Sequence, residues 1–322
     1  MRSLAFFVVG SLAALALEGC AGSSSTQSLP GTTAQSLPAN ALQSPVRSAW
    51  ASAGPETKLP KNLFVSDLSA NVVDELAGGS YHEIESIKTG LNEPDGVWID
   101  AKGNLYVANV GAPNVTEYAP GATTPTCTYT SSDLVSPIAV VTDSKQNVYV
   151  IDTEALNPPG YVHVYAQCST ETESLNIGGL GWGLALDAND DLFVDYDTTF
   201  GTTLFEEFVA GSSSPTQLGV TVPSALSGLA IDGNGTLIAA GQENGELYSI
   251  ASPYTTATVV ATGEKDPFAI ALSQNQKLLF VTNPSGHSVN VYHYPAMKLT
   301  RKLVTPGIIA PQGVAYSPNF TE

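Results

Sequence analysis

The chain has 322 residues, with 30 acidic against 12 basic side chains and a formal net charge of −18 at pH 7. A surface of that sign repels phosphate backbones, which excludes nucleic acid as a partner, and it repels anionic lipid, so charge alone cannot hold the protein at a membrane. Only three cysteines and four histidines are present.

In chain order, Arg2 precedes an apolar run from Leu4 to Leu17, followed by Glu18-Gly19-Cys20. A basic residue, a short apolar run and a small residue before a cysteine are signal-peptide features. The run falls short of the roughly 20 residues a membrane-spanning helix needs. Leu17-Glu18-Gly19-Cys20 resembles a bacterial lipobox, with Glu18 standing where that motif usually has a small or apolar residue. The resemblance implies removal of residues 1–19 and lipidation of Cys20. It places the protein in the bacterial cell envelope, exported and held by its lipid at an outer membrane or the cell surface. Residues 20–60 then form a tether rich in Ser, Thr, Gln, Pro and Ala, which cannot bury a core. By random-coil scaling it spans roughly 35 Å.

From residue 61 onward one phrase recurs. Its clearest copy is Pro94-Asp95-Gly96-Val97-Trp98-Ile99-Asp100-Ala101-Lys102-Gly103-Asn104-Leu105-Tyr106-Val107. Copies start at Pro94, Pro137, Gly181, Leu226, Pro267 and Pro311, and their small third residues are spaced 43, 44, 45, 41 and 44 apart. The first four copies read as an apolar strand, an Asp/Asn/Gly turn and a second apolar strand, and the fifth has its second strand at Leu279–Val281. A third strand follows, carrying pairs such as Val115/Tyr118 and Val289/Tyr292, and then a weaker fourth such as Thr126–Thr130. Four antiparallel strands in a repeat of about 43 residues form the blade of a β-propeller. The last copy supplies a first strand and stops, whereas Asn62–Leu76 supplies second and third strands with no first strand before them. The expected fold is therefore all-β, a six-bladed β-propeller over residues 61–322 whose composite blade closes when the C-terminal strand pairs with the N-terminal strands. Closure of this kind removes the free edge.

The Pro94 phrase is similar to the NHL repeat and to the blade of the gluconolactonase (senescence-marker) family of six-bladed propellers, and the Asp67-x3-Asn71-Val72 spacing is NHL-like. The resemblance covers most of residues 61–322. That fold hosts hydrolases, lyases, RNA binders and scaffolds, so it specifies shape more than activity. First strands line a propeller's central channel, and the residue before each small position should stand near its mouth. Those residues are Asp95, Ile138, Trp182, Ser227, Phe268 and Gln312. In the gluconolactonase-like family a divalent metal sits there on one Glu, two Asn and one Asp, and Asp95 matches that Asp. Apart from Glu93 two residues earlier, the other positions offer no matching oxygen set for a calcium or zinc ion. A lyase-type histidine would have to be His287, in the loop Asn283–Ser288; His82, His163 and His293 lie elsewhere. No nucleophile elbow or HExxH motif is present.

A second polar row ends the second strands: Asp67, Asn109, Asp152 and Asn283, interrupted by Tyr196 and Gly241, with Asp195 one place early. Such residues usually bond turn amides. Asp187-Ala-Asn-Asp-Asp191 has a calcium-loop spacing but occupies the hairpin slot and reads as a turn. The loops Glu154–Gly160, Tyr196–Thr203 and Gln242–Glu246 vary on the expected ligand face. Cys127 and Cys168 lie about one blade apart, and either a disulfide or two free thiols is compatible with an exported chain. Together these features point to a membrane-tethered, extracytoplasmic, monomeric propeller. It would bind a protein or small-molecule ligand at Asp95, Trp182, Ser227, Phe268 and Gln312 without catalysis or cofactor. The alternative is a metal-dependent lactone hydrolase with Asp95 as a ligand.

Overall fold

A computed structural model describes residues 61–153, 160–199, 201–304 and 307–318. The signal segment, Cys20, the tether and most of the Glu154–Gly160 loop lie outside these residues. The described chain is all-β, with one short 3-10 turn at Pro284–Gly286. Its strands are β1 (Asn62–Asp67), β2 (Val72–Ala77), β3 (Glu83–Ile87), β4 (Pro94–Ile99), β5 (Leu105–Asn109), β6 (Asn114–Tyr118), β7 (Cys127–Tyr129), β8 (Pro137–Thr142), β9 (Val148–Asp152), β10 (Gly160–Tyr165), β11 (Glu171–Ile177) and β12 (Leu180–Leu186). They continue as β13 (Leu192–Thr199), β14 (Thr202–Phe208), β15 (Thr216–Val222), β16 (Leu226–Ile231), β17 (Leu237–Gly241), β18 (Glu246–Ile250), β19 (Thr258–Thr262), β20 (Ile270–Leu272), β21 (Leu278–Asn283), β22 (Ser288–His293), β23 (Lys298–Leu303) and β24 (Pro311–Tyr316). Six four-stranded antiparallel sheets result: β24-β1-β2-β3, β4 to β7, β8 to β11, β12 to β15, β16 to β19 and β20 to β23, here blades 1 to 6.

The hairpin between first and second strands shows why the repeat folds as it does. In blade 2 one Asp100 carboxylate oxygen accepts the amides of Lys102 at 2.9 Å and Asn104 at 2.8 Å. Asp143, Asp187 and Asp232 make the same pair of bonds in the next three blades. The fourth turn residue is left-handed each time: Gly103 at φ +87°, Gln146 at +71°, Asp190 at +67° and Gly235 at +77°. Asp187–Asp191 is thus a hairpin turn. In blade 6 a hydroxyl takes the carboxylate's place, Ser273 Oγ accepting from Lys277 and Leu278.

The small third position is set by the neighbouring blade. A Cβ on Gly96 would lie 2.3 Å from the Ile138 carbonyl oxygen and 2.8 Å from Ala139 Cα. Gly228 meets Phe268 and Ala269 in the same way. The inner strands therefore touch backbone to backbone around the axis. Outside this contact, apolar clusters fill the wedges between blades. Leu63, Val65, Leu76, Phe280, Val289 and Val291 join blades 1 and 6, and Leu237, Ala239, Ile250, Phe205 and Val220 join blades 4 and 5. Apart from Ala239, each such side chain contributes about 1.5–3 kcal/mol of burial.

Ring closure takes place in blade 1. β24 pairs antiparallel with β1, Leu63 opposite Tyr316 and Val65 opposite Val314. Asp67, buried at the end of β1, accepts the amides of Ala70, Ile309 and Ala310. Ser66 Oγ accepts the Gly313 amide and donates to the Asp95 carbonyl in blade 2, which links β1, β24 and β4.

Candidate functional site at the channel mouth

Five inner strands break register near their starts, between Pro94 and Val97, Pro137 and Ala139, Gly181 and Leu184, Leu226 and Gly228, and, for β24, opposite Val65 and Asp67. A bulge re-aims the side chain it carries. Here the bulged positions include Asp95, Ile138, Trp182, Ser227 and Gln312, five of the six residues that the repeat placed before each small position.

The inner strands of all six blades enclose a cavity of about 140 Å3 along the channel. Asp95, Ile138, Ser227 and Phe268 line its mouth end; Val97, Val140, Leu184, Leu229 and Val314 form its walls; Ser273, Tyr316 and Pro318 lie towards the hairpin end. Trp182 and Gln312 are not on this lining. The indole N–H of Trp182 lies near Asp197 without hydrogen-bond geometry; the backbone carbonyl of Gln312 accepts from Thr282 Oγ1 at 2.6 Å, and its side-chain Oε1 is buried without a partner. The bulge thus turns Trp182 towards its own blade's second strand and leaves the cavity to smaller neighbours.

Asp95 is 5 % exposed, and its carboxyl oxygen Oδ1 has no hydrogen-bond partner. Loss of solvation alone pushes this carboxyl up to about 8. Across the mouth, Ser227 Oγ donates to Gln242 Oε1 at 2.8 Å. Phe268 supplies an aromatic side chain to the lining.

Two further acids stand beside the mouth in blade 4, on the long strand β13. Asp195 is fully buried; burial, with a smaller contribution from Asp197, raises it to about 7 against the Gly183 amide that donates to it at 2.8 Å. Burial, with a smaller contribution from Glu243, raises Asp197 to about 6 against Thr203 Oγ1, which donates at 2.6 Å. In the repeat pattern Asp195 stands one place early in the polar row, and Asp197 falls outside it. The available signal was the alternation Asp195-Tyr196-Asp197, which puts two acids on one face of a strand opposite the Gly183 bulge.

The polar row at the strand exits has a structural function in each place. Asn109 Oδ1 accepts from Asn92, Asp152 from Val135 and Ser136, and Asn283 from Lys265. Each anchors the loop that leads into its own blade's inner strand. His163 is wholly buried between Asp152 at 3.6 Å and Glu171 at 2.9 Å. Burial works to lower its imidazole, but the two carboxylates outweigh burial and hold it above its ordinary value. His287 is left-handed at φ +49°, bonds the Ile309 carbonyl through Nδ1 and does not line the cavity. His82 is exposed against Ser80, and His293 is exposed at the end of β22. Glu93 does not line the cavity either, and its amide donates to Asn71 Oδ1.

Cys127 on β7 and Cys168, in the turn after β10, form a disulfide between blades 2 and 3 with Cα atoms 5.6 Å apart. Among the described residues, Glu117 with these two cysteines is the one group of three or more His, Cys, Asp and Glu donors within 4.8 Å of one another. Asp95 belongs to no such group. A hard cation needs six or more oxygens, several of them anionic, and Asp95 with Ile138, Ser227 and Phe268 does not provide them. The channel residues do not fit the metal that the gluconolactonase resemblance implies. Among the described residues no helix is long and apolar enough to cross a membrane.

The geometry defines a six-bladed β-propeller with a narrow, mostly apolar channel. No family model and no curated protein matches the chain. Solved structures do. A chain in the crystal structure of a nidogen/laminin complex superposes with a TM-score of 0.68 at 15 % identity, over 80 % of this chain and 98 % of that one. The hydrazine synthase of Kuenenia stuttgartiensis gives 0.60 at 12 % identity, over 84 % and 93 %. A gluconolactonase from Xanthomonas campestris gives 0.57 at 16 % identity, over 69 % and 79 %. At these identities the likeness is one of fold.

Proposed function

We propose that this protein is a non-catalytic binding module whose central channel takes a small ligand. The observation that carries this is the 140 Å3 cavity itself, closed by six inner strands, mostly apolar and holding a single buried carboxyl without a partner acid, base or metal ligand. Pockets with apolar walls and one or a few placed polar groups are the usual form of small-molecule sites. The nidogen/laminin likeness supports a binding role for such a ring, and the gluconolactonase likeness together with the Pro94-Asp95-Gly96 phrase supports the lactone-hydrolase alternative. Toluene should raise the melting temperature by a few degrees through binding to the folded state alone, whereas millimolar calcium or zinc should leave it unchanged. A calcium-dependent rise that Asp95→Ala abolishes would replace the binding role with the metal-dependent one.

The same proposal places the propeller outside the cytoplasm, tethered by a lipid on Cys20. The Leu17–Cys20 motif, the uncharged character of most of residues 21–60 and the Cys127–Cys168 disulfide support it. Cys20→Ser should move the protein from the membrane to the soluble fraction of the cell envelope. Unchanged fractionation on centrifugation would exclude a lipid anchor at that residue.

A further inference from the structure

We propose that the channel selects a small organic cation, an amine with an apolar body of about benzene size, and that Asp95 is the group that recognises it. This deepens the binding role above and rests on it. Three observations converge. Asp95 is 5 % exposed and lines the cavity, with Oδ1 unpartnered; a buried polar atom in that condition is costly unless a ligand completes it. The rest of the mouth supplies what an ammonium group with an apolar body prefers: the Phe268 ring, the Ile138 side chain and, through the lone pairs of an oxygen that already donates to Gln242, Ser227 Oγ. Finally, the net charge of −18 raises the local concentration of cations over that of anions.

One carboxylate is too few for a hard metal ion but enough for an ammonium group, which needs up to three acceptors. Size follows from volume: an engineered apolar cavity of about 150 Å3 takes benzene, and the channel offers about 140 Å3.

The pH dependence has a definite sign. Four strands pack against β4: β1, β5, β8 and β24. On these, Asp67 of β1 is bound by the Ala70, Ile309 and Ala310 amides and Tyr106 of β5 by Asp100, β8 carries no titratable group, and Tyr316 of β24 lies at the far end of the channel. No charge among them moves Asp95, whose carboxyl desolvation holds at about 8. An ammonium ligand must meet the ionised form, so its affinity rises as pH passes through that value and falls once the amine itself loses its proton.

Benzylamine and its neutral isostere benzyl alcohol test this on the intact protein, by calorimetry and thermal shift at about pH 6 and about pH 9. Benzylamine should bind roughly tenfold or more tightly at the higher pH, and benzyl alcohol equally at both. Asp95→Asn should abolish the amine's advantage and keep alcohol binding, which also shows that the variant is folded. If the alcohol binds and the amine shows no Asp95-dependent advantage, the cation proposal falls and the small-ligand role stands. If neither probe binds, both fall.

Discussion

Stability should rise as pH is lowered from about 8 to about 5, the reverse of a protein held by ion-paired carboxylates. Three buried acids decide this: Asp95 raised to about 8, Asp195 to about 7 and Asp197 to about 6, each chiefly by burial. A carboxyl raised in the folded state holds its proton more tightly there than in the unfolded chain. Its contribution is complete below the unfolded value and is lost as pH climbs through the folded one. His163, held above its ordinary value, acts in the same direction, while Glu171, lowered despite its burial by bonds from Ser174 and His163, acts in the opposite one. Relief of self-repulsion at a net charge of −18 adds to the trend. The combined effect is on the order of several kcal/mol across this range. Urea unfolding followed from about pH 5 to about pH 9 measures it, and Asp95→Asn should flatten the upper part of the curve. A stability maximum at pH 7 to 8 would show that these carboxyls are ionised in the fold.

Asp67→Ala should be among the most damaging single substitutions outside the apolar core. It strips the acceptor from the Ala70, Ile309 and Ala310 amides at the point where the two ends of the ring meet. These bonds are partly buried, so each backbone donor left without a partner costs towards the lower end of about 1–3 kcal/mol, and the buried Asp67 side chain is lost with them. A total of roughly 3–5 kcal/mol corresponds to a fall in melting temperature of about 10 °C or more for a domain of this size. Asp67→Asn, which retains an acceptor oxygen, should lose less. Asp187→Ala, at a partly exposed hairpin with two such bonds, is the matched control and should cost about 1 kcal/mol. Equal losses at Asp67 and Asp187 would mean that closure is carried by β24 pairing alone.

The architecture was legible because its signals are local and repeated. Asp100, Asp143, Asp187 and Asp232 each write a turn that needs only its own next four residues, and the small third position recurs because the same backbone contact recurs. The composite blade was legible because Asn62–Leu76 and Pro311–Tyr316 are complementary fragments of one repeat. The site was only half legible. Position before the small residue identified Asp95, Ile138, Ser227 and Phe268 as cavity residues, but repeat position does not state how a bulge aims a side chain. Trp182 and Gln312 share that position and are not on the lining. The buried state of Asp195 and Asp197 depends on blades 4 and 5 meeting in space, which no spacing along the chain records. The blade 6 turn carries no such mark, because Ser273 replaces the aspartate of the others.

The pairing of β24 with β1 also orders events in time. Every blade but the first is complete in a continuous stretch of chain and can form as that stretch appears. The first blade must wait for residues 311–316, about 240 positions after its own outer strands. Until residues 311–316 are in place, the inner edge of β1 has no partner within its own blade. Whatever the channel holds can be gripped only once β24 has taken its place in the ring.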